Sequence, residues 1–164
     1  MQKKSPQSAP SLARTGLVIG KFYPPHLGHS YLINVAQQSC TCLTVILCAQ
    51  QDQTIPPALR KRWLEEMHAR LDVRILDQST FDDTDPYAWR DACLQILDAP
   101  PDLMFTSESY GDEYARLLGA RHILVDRERV RVPCSGKQIR ANPSRYSQFI
   151  APSVQRYFAE LGSS

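Results

Sequence analysis

The sequence is poor in glycine and lacks two familiar phosphate-binding motifs. It holds 7 glycines among 164 residues, and no G-x-G-x-x-G run follows an apolar segment. Ser135-Gly136-Lys137 comes nearest to a P-loop, but it has neither the upstream glycine nor the following Ser or Thr. A dinucleotide-binding fingerprint and a P-loop kinase are therefore excluded.

Long hydrophobic runs and paired cysteines are also missing. There is no stretch of about 18 apolar residues and no charged-then-apolar leader, so we expect no membrane span, no signal peptide and a cytoplasmic location. The five cysteines are odd in number and form no C-x-x-C pair. This usage favours reduced, buried thiols over a disulfide framework or a zinc site.

Beyond the first fourteen residues, the chain has no excess of basic charge. Of the 19 basic residues, Lys3, Lys4 and Arg14 stand unopposed in the first fourteen positions, and the 17 acidic residues balance the others closely. This balance excludes a basic platform for nucleic acid. Residues 1–14 are polar and carry two prolines without periodicity, which predicts a flexible tail before one globular domain over residues 15–164.

Short β-branched runs alternate with helical patterns from Thr15 onward. Five runs are typical of strands: GLVIG, LTVILCA, VRILD, LMFTS and HILVD. Four helical segments separate these strands. Continuous apolar strands indicate a parallel sheet that is covered on both faces. We therefore predict a Rossmann-like, doubly wound α/β domain with a five-stranded parallel sheet. The proline-punctuated segments after residue 135 predict a small C-terminal helical extension.

The stretch GKFYPPHLGH lies where the first predicted strand ends and the first helix begins. In such sheets ligands bind beyond the carboxyl ends of the strands, and a helix start offers free N–H groups to an anion. Gly20 and Gly28 leave room for a phosphate, His26 and His29 can face the same anion, and Lys21 adds a positive charge. A stiff proline loop with half-buried histidine caps is the alternative explanation from these residues alone.

This stretch resembles the H-x-G-H signature of the nucleotidylyltransferase superfamily. SGKQIR, Ser135 to Arg140, resembles that superfamily's second signature, Ser/Thr-Gly/Ser-x-x-Ile/Val-Arg. With the LVD segment that ends at Asp126, these motifs are similar to the adenylyltransferase domain of NadR-type nicotinamide mononucleotide (NMN) adenylyltransferases. The likeness covers Thr15 to about Glu160. A P-loop kinase follows this point in bifunctional members, so we do not expect ribosylnicotinamide kinase activity from this chain.

The resemblance implies transfer of AMP from ATP to NMN, which gives NAD and pyrophosphate. Magnesium would bridge the ATP oxygens, and no set of metal-binding residues is visible in the sequence. The resemblance also implies site residues at the two motifs. His26 and His29 would contact the α- and β-phosphates beside Lys21, and the remaining contacts to ATP would come from Gly20, Phe22, Gly28, Ser135, Gly136 and Arg140.

Two further positions match acceptor-binding positions of the family. Trp89 matches a tryptophan that stacks on the pyridine ring, and the resemblance favours this role. From the residues alone, the alternative of a core anchor beside Cys93, Leu94 and Leu97 is favoured. Arg62 matches an arginine that reaches phosphate, and Arg60 and Lys61 compete for this assignment. The alternative is that these charges form the solvated face of a helix.

Weaker candidates lie at the ends of later strands. Ser107 and Glu108 follow the strand LMFT, where the superfamily contacts the ATP ribose and pyrophosphate, and Asp126 follows the fifth strand. Lys137 departs from the small or hydroxyl residue that is usual in the family. His68 is interpreted as a surface residue of a helix and His122 as a strand-start residue.

Two other functions stay open at this point. A related transferase would use another phosphorylated acceptor or CTP, and a nucleotide sensor would bind without catalysis. The intact His26, His29, Ser135 and Arg140 argue against a sensor. The sequence does not distinguish NMN from nicotinate mononucleotide, and no segment marks the interface of a homo-oligomer.

Overall fold

The protein forms a five-stranded parallel sheet with helices on both faces, as the sequence predicts. The computed structural model describes residues 13–126 and 130–162. The strands are β1 (Ala13–Gly20), β2 (Cys40–Ala49), β3 (Asp72–Asp77), β4 (Leu103–Thr106) and β5 (Arg121–Leu124). Their order in the sheet is β3-β2-β1-β4-β5, and every neighbouring pair is parallel.

Six α-helices accompany the strands in the described residues. They are α1 (Leu27–Ser39), α2 (Pro57–Met67), α3 (Pro86–Ile96), α4 (Gly111–Leu118), α5 (Gly136–Ala141) and α6 (Pro152–Leu161). Local signals set several ends: Asp85 caps α3 by accepting from the Tyr87 N–H, and Gly119 ends α4 with a φ of 73°. None of the helices in the described ranges has the length and apolar character that crossing a membrane requires.

The sheet separates two apolar cores because successive strand residues point to opposite faces. On one face Val18 and Val45 pack with Ile33 of α1, whereas on the other face Leu17 and Ile46 pack with α3 and α4. A third apolar cluster joins the C-terminal helices to α2, with the rings of Trp63 and Tyr157 edge to face at 5.4 Å. The predicted C-terminal extension is thus anchored to the domain.

The first strand begins two residues before the predicted domain start. β1 takes in Ala13 and Arg14, because Ala13 pairs with Cys40 at the beginning of β2. Residues 1–12, the rest of the predicted tail, lie outside the described residues. The strand order reverses between β1 and β4, and in doubly wound sheets this reversal opens a crevice at the carboxyl ends of the strands.

Candidate active site

A cavity of about 720 Å³ opens at this crevice, a size that suits a small-molecule site. The structure brings together there all the residues predicted for the site except Arg62 and Arg140. Those on the cavity wall are Gly20, Lys21, Phe22, His26, Gly28, His29, Trp89, Ser107, Glu108, Asp126, Ser135 and Gly136. The cavity wall also includes residues that the sequence analysis did not single out, among them Gln78, Tyr110 and Tyr114.

The two histidines of the first motif cap helix α1 reciprocally. His26 is the N-cap residue, and its Nδ1 accepts a hydrogen bond from the Gly28 N–H at 3.0 Å. The backbone N–H of His26 donates to Nδ1 of His29 at 3.1 Å. The two rings stack with centroids 3.7 Å apart. Because both Nδ1 atoms accept hydrogen bonds, each neutral ring carries its proton on Nε2 and presents a donor there.

Close packing holds this arrangement in place. A Cβ on Gly28 would lie 2.8 Å from Cε1 of His26, so only glycine lets the imidazole fold back over the helix start. Phe22 has a φ of 48°, and its ring meets the His29 ring edge to face at 4.7 Å. A positive φ is costly for a bulky residue and is found mainly where the surrounding structure needs it. The backbone conformation at Phe22 and Gly28 therefore allows close packing of the His26 and His29 rings.

The second motif is tied to the first through Tyr23. Ser135 caps α5 by accepting from the Gln138 N–H at 3.2 Å. Gly136 packs directly on the Tyr23 carbonyl, since a Cβ there would lie 2.5 Å from the carbonyl oxygen. Nη1 of Arg140 donates to the same oxygen, and its guanidinium carbon lies 4.0 Å from the centroid of the Tyr23 ring. Arg140 thus lies beside the cavity rather than on its wall.

Tyr23 is held from its other side by the loop before α2. Its hydroxyl accepts a hydrogen bond from the Thr54 N–H at 2.8 Å and pairs with the Thr54 hydroxyl at 2.7 Å. Arg60 lies 5.5 Å from the ring centroid. Burial raises the pKa of the Tyr23 phenol, but the bonds from Thr54 and the two nearby arginines outweigh burial and lower that pKa overall.

Arg60 is completely buried and organises the backbone beneath Lys21. Its Nη1 donates to the Lys21 carbonyl at 2.6 Å, and its Nη2 donates to Oε1 of Gln53 at 2.8 Å. Its Nε donates to the Ile55 carbonyl at 3.1 Å. Arg62 is exposed on α2 away from the cavity wall, so the predicted acceptor contact of Arg62 stays a prediction.

Aromatic side chains of α3 and of the start of α4 line part of the cavity. Trp89 is buried, packs in the core with Cys93 and also lines the cavity. This position agrees with a core anchor and with a residue that contacts a ligand, so the predicted stacking on the acceptor stays a prediction. Its ring meets Tyr114 edge to face at 4.5 Å, and Tyr110 follows at 6.0 Å from Tyr114. Aromatic residues after the fourth predicted strand were the available signal for Tyr110 and Tyr114.

The end of β4 is organised by a histidine that the sequence analysis treated only as a strand start. Nε2 of His122 lies 2.6 Å from the Thr106 hydroxyl, which donates to the Glu108 carbonyl at 2.9 Å. These bonds fix the turn that carries Ser107 and Glu108 to the cavity. The interpretation of His68 as a surface residue was wrong. His68 is buried at the end of α2, and its Nε2 lies 3.1 Å from the Ser30 hydroxyl.

Asp126 lies on the cavity wall with its carboxylate bonded to backbone. Oδ1 accepts from the Val130 N–H at 3.1 Å, and Oδ2 accepts from the Arg131 N–H at 3.0 Å. Its φ is 46°, a conformation that few non-glycine residues adopt. These contacts tie Asp126 to the backbone of Val130 and Arg131, and the predicted contact of Asp126 with nucleotide stays a prediction.

A doubly wound sheet with two capped helix starts facing one crevice defines an α/β domain of the kind that binds ligands, nucleotides among them, beyond the carboxyl ends of its strands. Comparison with known proteins makes this class more specific. The chain is 32% identical, over 167 aligned residues, to the trifunctional NAD biosynthesis/regulator protein NadR of Escherichia coli K12. The alignment covers 87% of this chain and 40% of that protein, so the chain spans about two fifths of its relative's length.

Solved structures share the fold at lower identity. The NadR protein in complex with NAD and AMP-PNP matches with a TM-score of 0.65 at 19% identity, over 84% of this chain and 44% of the other. A bifunctional NMN adenylyltransferase/ADP ribose pyrophosphatase from Francisella tularensis matches with a TM-score of 0.54 at 15% identity, over 70% and 38% of the two chains. No protein-family model matches the chain. The chain is therefore similar in sequence to part of NadR, the relative whose family its two motifs resemble, and it shares the fold of these solved structures.

Proposed function

We propose that the chain is a nucleotide adenylyltransferase that transfers AMP from ATP to nicotinamide mononucleotide, giving NAD and pyrophosphate. The convergence of two distant helix starts on one cavity carries this proposal, because the arrangement surrounds an anion with hydrogen-bond donors. The names of the NadR relative and of the fold neighbours support the choice of reaction.

In the proposed reaction a phosphate oxygen of NMN attacks the α-phosphorus of ATP. The new P–O bond forms as the bond between the α-phosphorus and the bridging oxygen breaks, and pyrophosphate leaves. The Nε2–H groups of His26 and His29 donate to the α- and β-phosphate oxygens, where negative charge grows in the transition state. Lys21, on the same wall, neutralises part of that charge.

The second motif holds the leaving group in this proposal. Ser135 and Gly136 line the cavity. Arg140 lies beside it with Nη1 bonded to the Tyr23 carbonyl, and its remaining donors would reach the phosphate oxygens. Since Tyr23 joins both motifs, the α- and γ-ends of the triphosphate would be held by one connected unit. Rigid positioning of this kind lowers the entropic cost of an in-line displacement.

Magnesium is proposed to enter with ATP. Within residues 13–126 and 130–162, no group of three or more His, Cys, Asp or Glu side chains could hold a metal ion. Phosphate oxygens and water are the ligands that magnesium usually takes beside a nucleotide, with few protein ligands. When bound, the ion neutralises charge on the phosphates, and the chain's own residues orient them.

An acceptor panel tests this proposal. Purified protein with magnesium and either ATP or CTP is mixed with NMN, nicotinate mononucleotide, phosphopantetheine or no acceptor, and pyrophosphate release and product mass are measured. We expect a dinucleotide only from ATP with a pyridine mononucleotide. The double variant His26→Asn, His29→Asn is the matched control, because asparagine keeps the capping acceptors and removes the Nε2 donors. If none of these acceptors gives pyrophosphate release above background, the proposal is contradicted.

A further inference from the structure

Gln78 places an unpaired acceptor on the cavity wall. Within the described residues, its Oε1 is the one buried side-chain oxygen or nitrogen without a hydrogen-bond partner. Gln78 also lines the cavity. Buried polar atoms are nearly always hydrogen-bonded, so an exception on a cavity wall points to a ligand that supplies the missing partner. A carbonyl oxygen can only accept, and the missing partner must therefore be a donor.

The backbone that carries Gln78 is fixed. The residue begins a single 3-10 turn, Gln78–Thr80, directly after β3. Oδ1 of Asp77 accepts from the Ser79 N–H at 3.0 Å and from the Ser79 hydroxyl at 2.6 Å. The Thr80 hydroxyl donates to the Asp77 carbonyl at 2.7 Å. The turn therefore holds Gln78 at the carboxyl edge of the sheet, where the cavity opens.

Gln78 shares the cavity wall with side chains of the apolar core. Leu76, two residues earlier, packs in the same core cluster as Trp89 and Cys48, and the last two also line the cavity. Burial raises the pKa of the Cys48 thiol to about 12, which agrees with dry surroundings at this end of β2. In such surroundings a hydrogen bond contributes more to selectivity than it does in water.

We propose that Gln78 determines specificity for the amide form of the acceptor: its Oε1 accepts a hydrogen bond from the carboxamide N–H of nicotinamide mononucleotide. This inference rests on the proposed function. Nicotinate mononucleotide carries a carboxylate at the same place, which has no donor and brings a negative charge toward the carbonyl oxygen. A site built for a donor rejects an analogue without one far more strongly than an apolar pocket does.

The test compares kcat/KM for the two mononucleotides in four proteins: wild type, Gln78→Leu, Gln78→Glu and Gln37→Leu. We expect the wild type to favour NMN by about 100-fold or more. Gln78→Leu removes the acceptor and should reduce this preference at least about tenfold, through a higher KM for NMN. Gln78→Glu keeps acceptor oxygens and should keep the preference. Gln37, exposed on α1, is the matched control and should change nothing.

The outcomes separate this inference from the proposed function. An unchanged preference in Gln78→Leu, or equal use of both acceptors by the wild type, overturns the role of Gln78 and leaves adenylyl transfer standing. If the wild type converts neither acceptor, the proposed function fails, and equal calorimetric affinity for the two mononucleotides then overturns the role of Gln78 as well.

The melting temperature of each variant monitors its folding. Gln78→Leu removes an unsatisfied polar atom and should melt no lower than wild type, and Gln78→Met serves as a second variant if it does not fold.

Discussion

The two helix starts at the cavity differ in how far along the chain their positioning contacts reach. At α1 the cap is assembled from residues within one turn, as His26 accepts from Gly28 and donates to His29. At α5 the start is positioned from far away in sequence, because Arg140 donates to a carbonyl that lies 117 residues earlier, at Tyr23. His26 is buried, whereas Arg140 is exposed. Both starts have a local cap, from His26 at α1 and from Ser135 at α5, but α5 is also tied by Arg140 to the Tyr23 backbone far away in sequence.

This difference teaches where each motif is vulnerable. The cap of α1 should keep its shape as long as His26, Gly28 and His29 are intact, and variants of its histidines should therefore affect chemistry more than folding. The second motif should lose its position when Tyr23 or its support moves. Three substitutions test this comparison, taken from the largest expected effect to the smallest.

Substitution of His29 tests the local construction. His29→Ala should lower kcat by about 100- to 1000-fold, because a donor to developing charge is lost. The His26 N–H also loses its acceptor, which should cost about 1 kcal/mol of stability. His29→Asn restores an acceptor near Nδ1, so its melting temperature should return toward wild type while kcat stays low. Near-normal turnover in both variants would remove His29 from the chemistry.

Substitution of Arg60 tests the support that lies under both motifs. Arg60→Ala leaves the carbonyl oxygens of Ile55, Lys21 and Cys48 short of a donor, in two buried bonds and one part-buried bond, and should lower the free energy of unfolding by about 3 kcal/mol. Arg62→Ala is the matched control on the same helix, and exposed substitutions of this kind change stability by about 0.5 kcal/mol or less. Urea titration of both variants measures the difference. Equal stability of the two would show that Arg60 does not organise the Lys21 backbone.

The arginine pair also shows what the sequence could and could not predict. Both arginines sit in the segment ALRKRW, and the family match favoured Arg62, but only the packing reveals that Arg60 turns inward to carbonyl groups. Periodicity identifies the face of a helix but not the loop backbone that a long side chain reaches. The fold was predictable in full outline, since continuous apolar strands and alternating helices allow few arrangements.

Site contacts within one sequence motif were predictable. Contacts between segments that are distant in sequence were not. The motif GKFYPPHLGH contains both partners of the His26 to His29 pair, so spacing alone brings them together. Tyr23 lies in the same motif, yet its role depends on Gly136 and Arg140. Gln78 carries no motif signal, because its importance lies in an absent hydrogen bond that only coordinates reveal.

Gly136→Ala is the mildest and most selective test of the distant construction. The added methyl group would meet the Tyr23 carbonyl at 2.5 Å, and since that atom is backbone, α5 must move instead. Overpacking of this kind costs about 1 to 3 kcal/mol, and the displaced start should raise the KM for ATP about tenfold. Gly162→Ala is the control, with its nearest atoms at 3.7 Å. If both variants keep the wild-type KM for ATP, the Tyr23 contact does not position the second motif, and the two helix starts work independently.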